Sequence, residues 1–104
     1  MTAYCFFDVR EVIDPQKLDM YKQGVLATVQ QYGGRYLVLG GKCEGVEGTW
    51  QPVTPVLIRF PSLEQAYTWY NSEEYRHLKG LRLAATNGDA VFMESEPNGF
   101  VFEE

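Results

Sequence analysis

Four residues in this chain have the types and positions for chemistry on a small molecule, and all four lie on predicted strands. Arg59 and Glu94 each lie near the end of an apolar strand, while Tyr4 and Asp8 lie on the first strand. A guanidinium beside a phenol can hold an anionic or enolate-like oxygen through charge-assisted hydrogen bonds. The same arginine can instead pair with Glu94, because a half-buried charge needs a partner. Both interpretations of Arg59 and Glu94 stay open, a ligand site and a structural ion pair.

Trp50 is the fifth candidate ligand-binding residue, and both it and Asp8 have two interpretations. Asp8 is either a solvated acid at the edge of a strand or a general base. Trp50 ends the string Glu47-Gly48-Thr49-Trp50 in a long polar loop. This loop is either a structural segment that packs over the rim of the sheet or a lid whose tryptophan gives the pocket an apolar wall.

The sequence lacks the residue patterns that several kinds of chemistry require. The single histidine, His77, and the two distant cysteines, Cys5 and Cys43, match no metal or redox spacing. The sequence also has no nucleophile elbow, phosphate loop or dinucleotide fingerprint. We therefore expect no metal and no cofactor, and the catalytic residues, if the protein is an enzyme, stay unknown.

Composition limits the partners and the compartment. The chain has 104 residues, which suits a single domain over 1–104, and its formal net charge is -5. This charge argues against nucleic acid and anionic membranes, which require a basic surface. With no apolar segment long enough to span a bilayer and no basic leader, we expect a cytoplasmic protein with free thiols.

Hydrophobic spacing predicts the element order βαββαβ. The strands are expected at residues 3–10, 35–40, 56–60 and 90–95, with a long loop over 41–55. Asp14, Ser62 and Ser72 have the side chains of helix N-caps. Asn71-Ser72 divides the second helical region in two, and Asn87-Gly88 is expected to end it. A short fifth strand is possible at Phe100-Val101-Phe102.

Alternation along the strands sorts their side chains into two faces. One set is wholly apolar and suits the face beneath the helices: Cys5, Phe7, Val9, Val56, Ile58, Phe60, Val91 and Met93. The other set mixes large apolar residues with charges: Tyr4, Phe6, Asp8, Leu57, Arg59, Phe92 and Glu94. The chain has no third layer to cover this mixed face, and a second copy of the sheet is the simplest cover. We therefore expect a homodimer.

Four strings of residues, in this order, resemble a known family. They are Gly33-Gly34-Arg35-Tyr36, Glu47-Gly48-Thr49-Trp50, Phe60-Pro61-Ser62, and Asn71-Ser72-Glu73-Glu74-Tyr75 followed by Arg82. The chain from about Tyr4 to Glu94 is similar to the family called domain of unknown function 1330, a branch of the dimeric α+β barrel superfamily.

This resemblance implies a fold and an assembly but no reaction. The implied fold is ferredoxin-like, with strand order 4-1-3-2 and a dimer that closes the barrel. In that order Arg59 and Glu94 flank Tyr4, whereas Asp8 lies at the opposite end of the sheet, near the loop with Trp50. Two classes of function remain. One is a protein that binds or transforms a small anionic or aromatic/keto-type molecule without a cofactor, and the other is a non-catalytic ligand-binding or interaction dimer.

Overall fold

One antiparallel sheet with its helices packed on one side forms the fold. The computed structural model describes residues 1–97. Along the chain, the elements are β1 (Ala3–Val12), α1 (Pro15–Gln31), β2 (Arg35–Leu39), β3 (Pro55–Phe60), α2 (Leu63–Tyr70), α3 (Glu73–Ala85) and β4 (Thr86–Glu94). No helix in these residues has the length and apolar character to cross a membrane.

The strand order is the one that the family resemblance implies. The sheet runs β2-β3-β1-β4, and every neighbouring pair is antiparallel. The helices α2 and α3 together fill the place of the second crossover between β3 and β4. The fold is therefore α+β and ferredoxin-like, as predicted.

The predicted N-caps begin all three helices. The Asp14 side chain accepts the backbone N–H of Lys17 at 3.1 Å, which starts α1. Ser62 accepts the N–H of Gln65 at 3.0 Å, and Ser72 accepts the N–H of Tyr75 at 3.2 Å. Each bond satisfies a backbone donor that the first helical turn leaves free. The break between α2 and α3 is therefore built by Ser72, as the sequence indicates.

An aromatic cluster joins the helices to the sheet. Trp69 is fully buried, and its ring centroid lies 4.2 Å from that of Tyr75 and 5.3 Å from that of Phe60. The indole N–H donates to Thr28 on α1 at 3.0 Å, so the one polar atom of this side chain is satisfied. Trp69 thereby fixes α1, α3 and β3 relative to one another.

The register of β4 corrects the predicted faces. Phe92 lies opposite Cys5 on β1, and therefore points towards the helices, where its ring packs against Phe7, Tyr67 and Tyr70. Val91 and Met93 consequently point to the other side. The prediction was wrong for this strand because both of its alternating sets contain apolar residues, so alternation alone does not choose between them.

The open face, on which no helix of the described residues packs, combines an apolar centre with charged residues after this correction. We use this name for the side that presents Tyr4, Phe6, Asp8, Val38, Leu57, Arg59, Val91 and Met93. Phe6 lies between Leu57 and Val91 in one row across three strands. Val91 is 51% exposed and Met93 45% exposed, which is unusual for neighbouring side chains on one sheet.

The strand boundaries differ from the prediction by at most two residues, except at the start of β4, where the difference is four residues. β4 begins at Thr86, directly after α3, so Asn87 and Gly88 are strand residues and not a turn. Gly88 pairs with Val9 next to a bulge in β1, and a side chain there would collide with the Asp8 backbone. The possible fifth strand at Phe100-Val101-Phe102 lies outside the described residues.

We expect Gly34→Ala to destabilise the protein by about 1–3 kcal/mol through overpacking. A Cβ atom at this position would lie 2.6 Å from Val29 Cγ1 and 2.7 Å from Phe60 Cε1. Neither neighbour can move freely, because both belong to the buried core. Urea denaturation gives the change in the free energy of unfolding.

Gly80→Ala is the matched control. Gly80 lies inside α3, and no atom lies within 4 Å of the position its Cβ would take. Alanine is the better helix former, so this variant should gain about 0.5–1 kcal/mol. Equal effects of the two substitutions would contradict the packing described here.

Candidate functional site

A pocket opens between α1 and the helix-covered face of the sheet. Its volume is about 270 Å³. Apolar side chains from the sheet and from α1 form most of its wall, including Phe7, Val25, Val56 and Ile58. Five residues with polar groups also line the pocket: Tyr21, Lys22, Tyr36, Thr54 and Arg82. We call this cavity the helix–sheet pocket.

Arg82 brings a positive charge to the helix–sheet pocket. It lies on the inner stripe of α3, seven residues after Tyr75, and its Nε donates to the Tyr75 hydroxyl at 3.2 Å. Its guanidinium carbon lies 5.0 Å from the centroid of the Phe7 ring, within the range of a cation–π contact. Its Nη2 atom is buried and has no hydrogen-bond partner among residues 1–97. A buried donor on a cation, left without an acceptor, costs free energy.

Tyrosines surround this guanidinium. The hydroxyls of Tyr21 and Tyr75 are hydrogen-bonded at 3.0 Å, with ring centroids 6.2 Å apart. Tyr36 lines the same pocket from β2, where it lies opposite Ile58. Because α1, α3 and β2 each contribute one part, the site exists only in the folded chain.

Burial keeps these phenols neutral. It raises the pKa of Tyr21 far above its ordinary value, with a further contribution from Tyr75, and it raises the pKa of Tyr36 to about 12. The pKa of Tyr75 is also raised, chiefly by burial, although Arg82 acts in the opposite direction. Burial opposes the charge on Arg82, but the tyrosine hydroxyls outweigh it and the pKa of Arg82 is raised. The site is a cation surrounded by neutral tyrosine hydroxyls, one of which accepts a hydrogen bond from it.

None of the residues singled out from the sequence lines this pocket, and three of them, Tyr4, Asp8 and Arg59, lie on the open face. Tyr4 is directly opposite Arg59, as the strand order predicts. Glu94 is opposite Ala3 and therefore points to the helix side, because the register of β4 differs by one residue from the predicted one. Arg59 and Glu94 form no ion pair. The arrangement in which both flank Tyr4 on one face is thus corrected.

Asp8 and Trp50 come together at the other end of the open face. Asp8 is only 3% exposed, and its Oδ1 atom accepts the backbone N–H groups of Val53 and Thr54, both at 2.9 Å. These bonds attach the long loop to β1. Trp50 then packs edge-on against Phe6, with ring centroids 5.8 Å apart. The two side chains border a second, more open cavity of about 500 Å³.

The role of Arg82 was missed from the sequence, although a signal was present. Tyr75, Leu78, Arg82 and Ala85 follow one another at spacings of three, four and three residues. That spacing places all four on one helical face, and the other three are apolar or aromatic. A cation within a buried stripe indicates a buried charge and hence a candidate site.

No group of three or more His, Cys, Asp or Glu side chains among residues 1–97 is close enough to hold a metal ion. His77 is exposed on α3, and both cysteines are free thiols.

Taken together, the fold and the pocket define a ferredoxin-like α+β protein with a cationic cavity between helices and sheet. A family profile described as domain of unknown function (DUF1330) matches residues 2–95. The chain therefore belongs to this family. No curated protein sequence matches it at a significant level.

Solved structures with the same fold share little sequence with this chain. A protein of unknown function from Rhodopseudomonas palustris is 15% identical, with 92% of this chain and 84% of that chain covered and a TM-score of 0.70. SnoaB, a cofactor-independent oxygenase from Streptomyces nogalater, is 9% identical, with 94% of each chain covered and a TM-score of 0.55. An antibiotic biosynthesis monooxygenase is 15% identical, with 93% of this chain and 100% of that chain covered and a TM-score of 0.53. These similarities establish the fold and leave the activity open.

The raised pKa of Tyr36 predicts a loss of stability in alkali. Folding favours the neutral phenol, so its contribution is complete below the ordinary pKa of 10.0 and is lost as the pH rises through about 12. We expect the wild-type melting temperature to fall over this interval, and Tyr36→Phe to show a smaller fall. Parallel thermal melts between pH 8 and pH 12 test this, and identical pH profiles would contradict the burial of Tyr36.

Proposed function

We propose that the helix–sheet pocket binds a small organic anion, with an oxygen of the ligand paired to Arg82. The observation that carries this proposal is the buried Nη2 atom of Arg82, which has no acceptor among the described residues. Carboxylates satisfy arginine better than neutral groups do, because the hydrogen bonds are charge-assisted. A ligand anion would supply the acceptor that residues 1–97 do not provide.

The pocket's volume limits the ligand to about one ring. Drug-sized ligands occupy pockets of roughly 300–1,000 Å³, and the helix–sheet pocket holds about 270 Å³. An engineered apolar cavity of about 150 Å³ in another protein holds benzene. The walls formed by Phe7, Val25 and Ile58 favour an aromatic or branched apolar body. A single-ring carboxylic acid or keto acid satisfies both the size and the charge.

Binding is the first candidate function and transformation is the second. No carboxylate or imidazole is among the described side chains that line the pocket, so the most common general bases are not among them. A molecule that is already ionised needs no such base. The cofactor-independent oxygenase SnoaB shares the fold, and this supports a second candidate in which an ionised substrate reacts without a cofactor. We also propose that the protein is cytoplasmic, as expected from the sequence.

Arg82→Gln should weaken the binding of benzoate by about 1.5–3 kcal/mol, the usual contribution of a hydrogen bond to a charged group. Isothermal titration with benzoate measures the change. Consumption of the probe during long incubation, followed by proton NMR, would favour transformation over binding.

Arg59→Gln is the matched control, since Arg59 is the arginine that the sequence favoured as the anion anchor. It lies on the open face and not in the helix–sheet pocket. We expect this variant to bind benzoate as the wild type does. Loss of binding in Arg59→Gln but not in Arg82→Gln would move the site to the open face, beside Tyr4. No change in either variant would overturn both locations.

We also propose that the open face is covered by a second copy of the chain. Phe6, Leu57 and Val91 form an apolar row there, and Met93 continues it beside Tyr4. No helix of the described residues packs on this side. An uncovered apolar face favours association. Self-association would close the barrel that is typical of the superfamily that this chain resembles. This proposal holds both for an enzyme and for a non-catalytic binding or interaction dimer.

Leu57→Lys should shift the protein towards monomer, because it places a charge within the apolar row. The wild-type melting temperature should rise with protein concentration, since the dimer forms only from folded chains. Leu83→Lys is the control, because Leu83 is exposed on α3. Light scattering coupled to gel filtration gives the masses. A well-folded wild-type monomer at micromolar concentration would contradict the proposal.

A further inference from the structure

A chain of three hydrogen-bonding groups leads from the interior to the helix–sheet pocket. Arg82 Nε donates to the Tyr75 hydroxyl at 3.2 Å, and the Tyr75 and Tyr21 hydroxyls lie 3.0 Å apart. A guanidinium can only donate, so the Tyr75 oxygen is the acceptor of the first bond. The direction of the second bond then decides which hydroxyl hydrogen remains free.

Burial sets the direction of that second bond. Tyr75 is fully buried, and its hydroxyl has no other acceptor among the described residues. If Tyr21 donated to Tyr75, the hydrogen of Tyr75 would be buried without a partner, which native structures avoid. Either hydroxyl could be the donor by geometry, and on this argument we assign Tyr75 as the donor to Tyr21. Tyr21 lines the pocket, so its own hydrogen is available to a ligand there.

The pocket thus presents two donors in a fixed relation. One is the guanidinium of Arg82, which lines the pocket and whose buried Nη2 atom has no partner among residues 1–97, and the other is the Tyr21 hydroxyl, which is connected to Arg82 Nε through two successive hydrogen bonds. Hydrogen bonds in such a chain polarise one another, so the cation at its start strengthens the donor at its end. The described lining adds the cation of Lys22 and the phenol of Tyr36, and it contains no carboxylate.

We propose that the ligand is an organic acid with a second oxygen on the carbon next to the carboxylate, that is, a 2-oxo or 2-hydroxy acid. This inference rests on the proposed function, because the carboxylate is the group that pairs with Arg82 Nη2. The second oxygen accepts the Tyr21 hydrogen. A simple acid of equal size leaves that donor without a partner in an apolar cavity, and such sites discriminate against ligands that lack the matching group.

Two probes that differ only at this position test the inference. Phenylglyoxylate has a carbonyl next to the carboxylate, and phenylacetate has a methylene there. We expect the wild type to bind phenylglyoxylate about three- to tenfold more tightly in isothermal titration, as one hydrogen bond between uncharged groups allows. Tyr21→Phe should remove this preference and leave the affinity for phenylacetate nearly unchanged. Tyr67→Phe, outside the pocket, should keep the preference.

The outcomes separate this inference from the proposed function. Equal binding of both probes by the wild type would overturn the inference, yet the pocket would still be an anion site if Arg82→Gln lost both probes. A preference that survives in folded Tyr21→Phe would also overturn it. Failure of the wild type to bind either probe would contradict both the proposed function and the inference. The wild-type comparison decides the matter even where a variant fails to fold.

Discussion

The buried guanidinium of Arg82 is the constraint on which the account of this protein depends. One edge of the group is held by Tyr75 and by the ring of Phe7, and the Nη2 atom has no acceptor in the described chain. Packing holds Tyr75 in place: its buried ring lies against Trp69, whose indole N–H donates to Thr28. A rigid aromatic core therefore supports a charged group that the core does not neutralise.

The two faces of the sheet have different roles in the molecule. The helix-covered face holds the aromatic core and the pocket, whereas the open face carries the apolar row around Phe6 and the attachment of the long loop. Asp8 makes that attachment by accepting two backbone N–H groups, a common way to stabilise a carboxylate with little exposure. Its role in the fold is explained by these bonds, and a ligand role for Asp8, Trp50, Tyr4 and Arg59 stays a prediction.

Much of the fold could be predicted from the sequence, and particular residues show why the rest could not. The helix starts at Asp14, Ser62 and Ser72 depend on local hydrogen bonds, and such signals are readable from a single chain. The face of β4 depends on which of two apolar sets the aromatic core accepts, and only the assembled core places Phe92 against Tyr67 and Tyr70. The site was missed because Arg82 occupies a helical stripe position where a long cation can equally well extend to solvent. Whether it does so depends on Tyr21 and Phe7, which are distant in sequence.

The most direct test of the central claim is the unfolding free energy of the wild type and Arg82→Met in urea, each with and without benzoate. If Arg82 is held for a ligand, removing its unpaired charge should leave the free protein at least as stable as the wild type. Benzoate should then stabilise the wild type and have no effect on the variant. A variant that is less stable by about 3 kcal/mol without ligand, the loss expected for breaking a buried charge network, together with no benzoate effect on the wild type, would show that Arg82 is structural and would contradict the account.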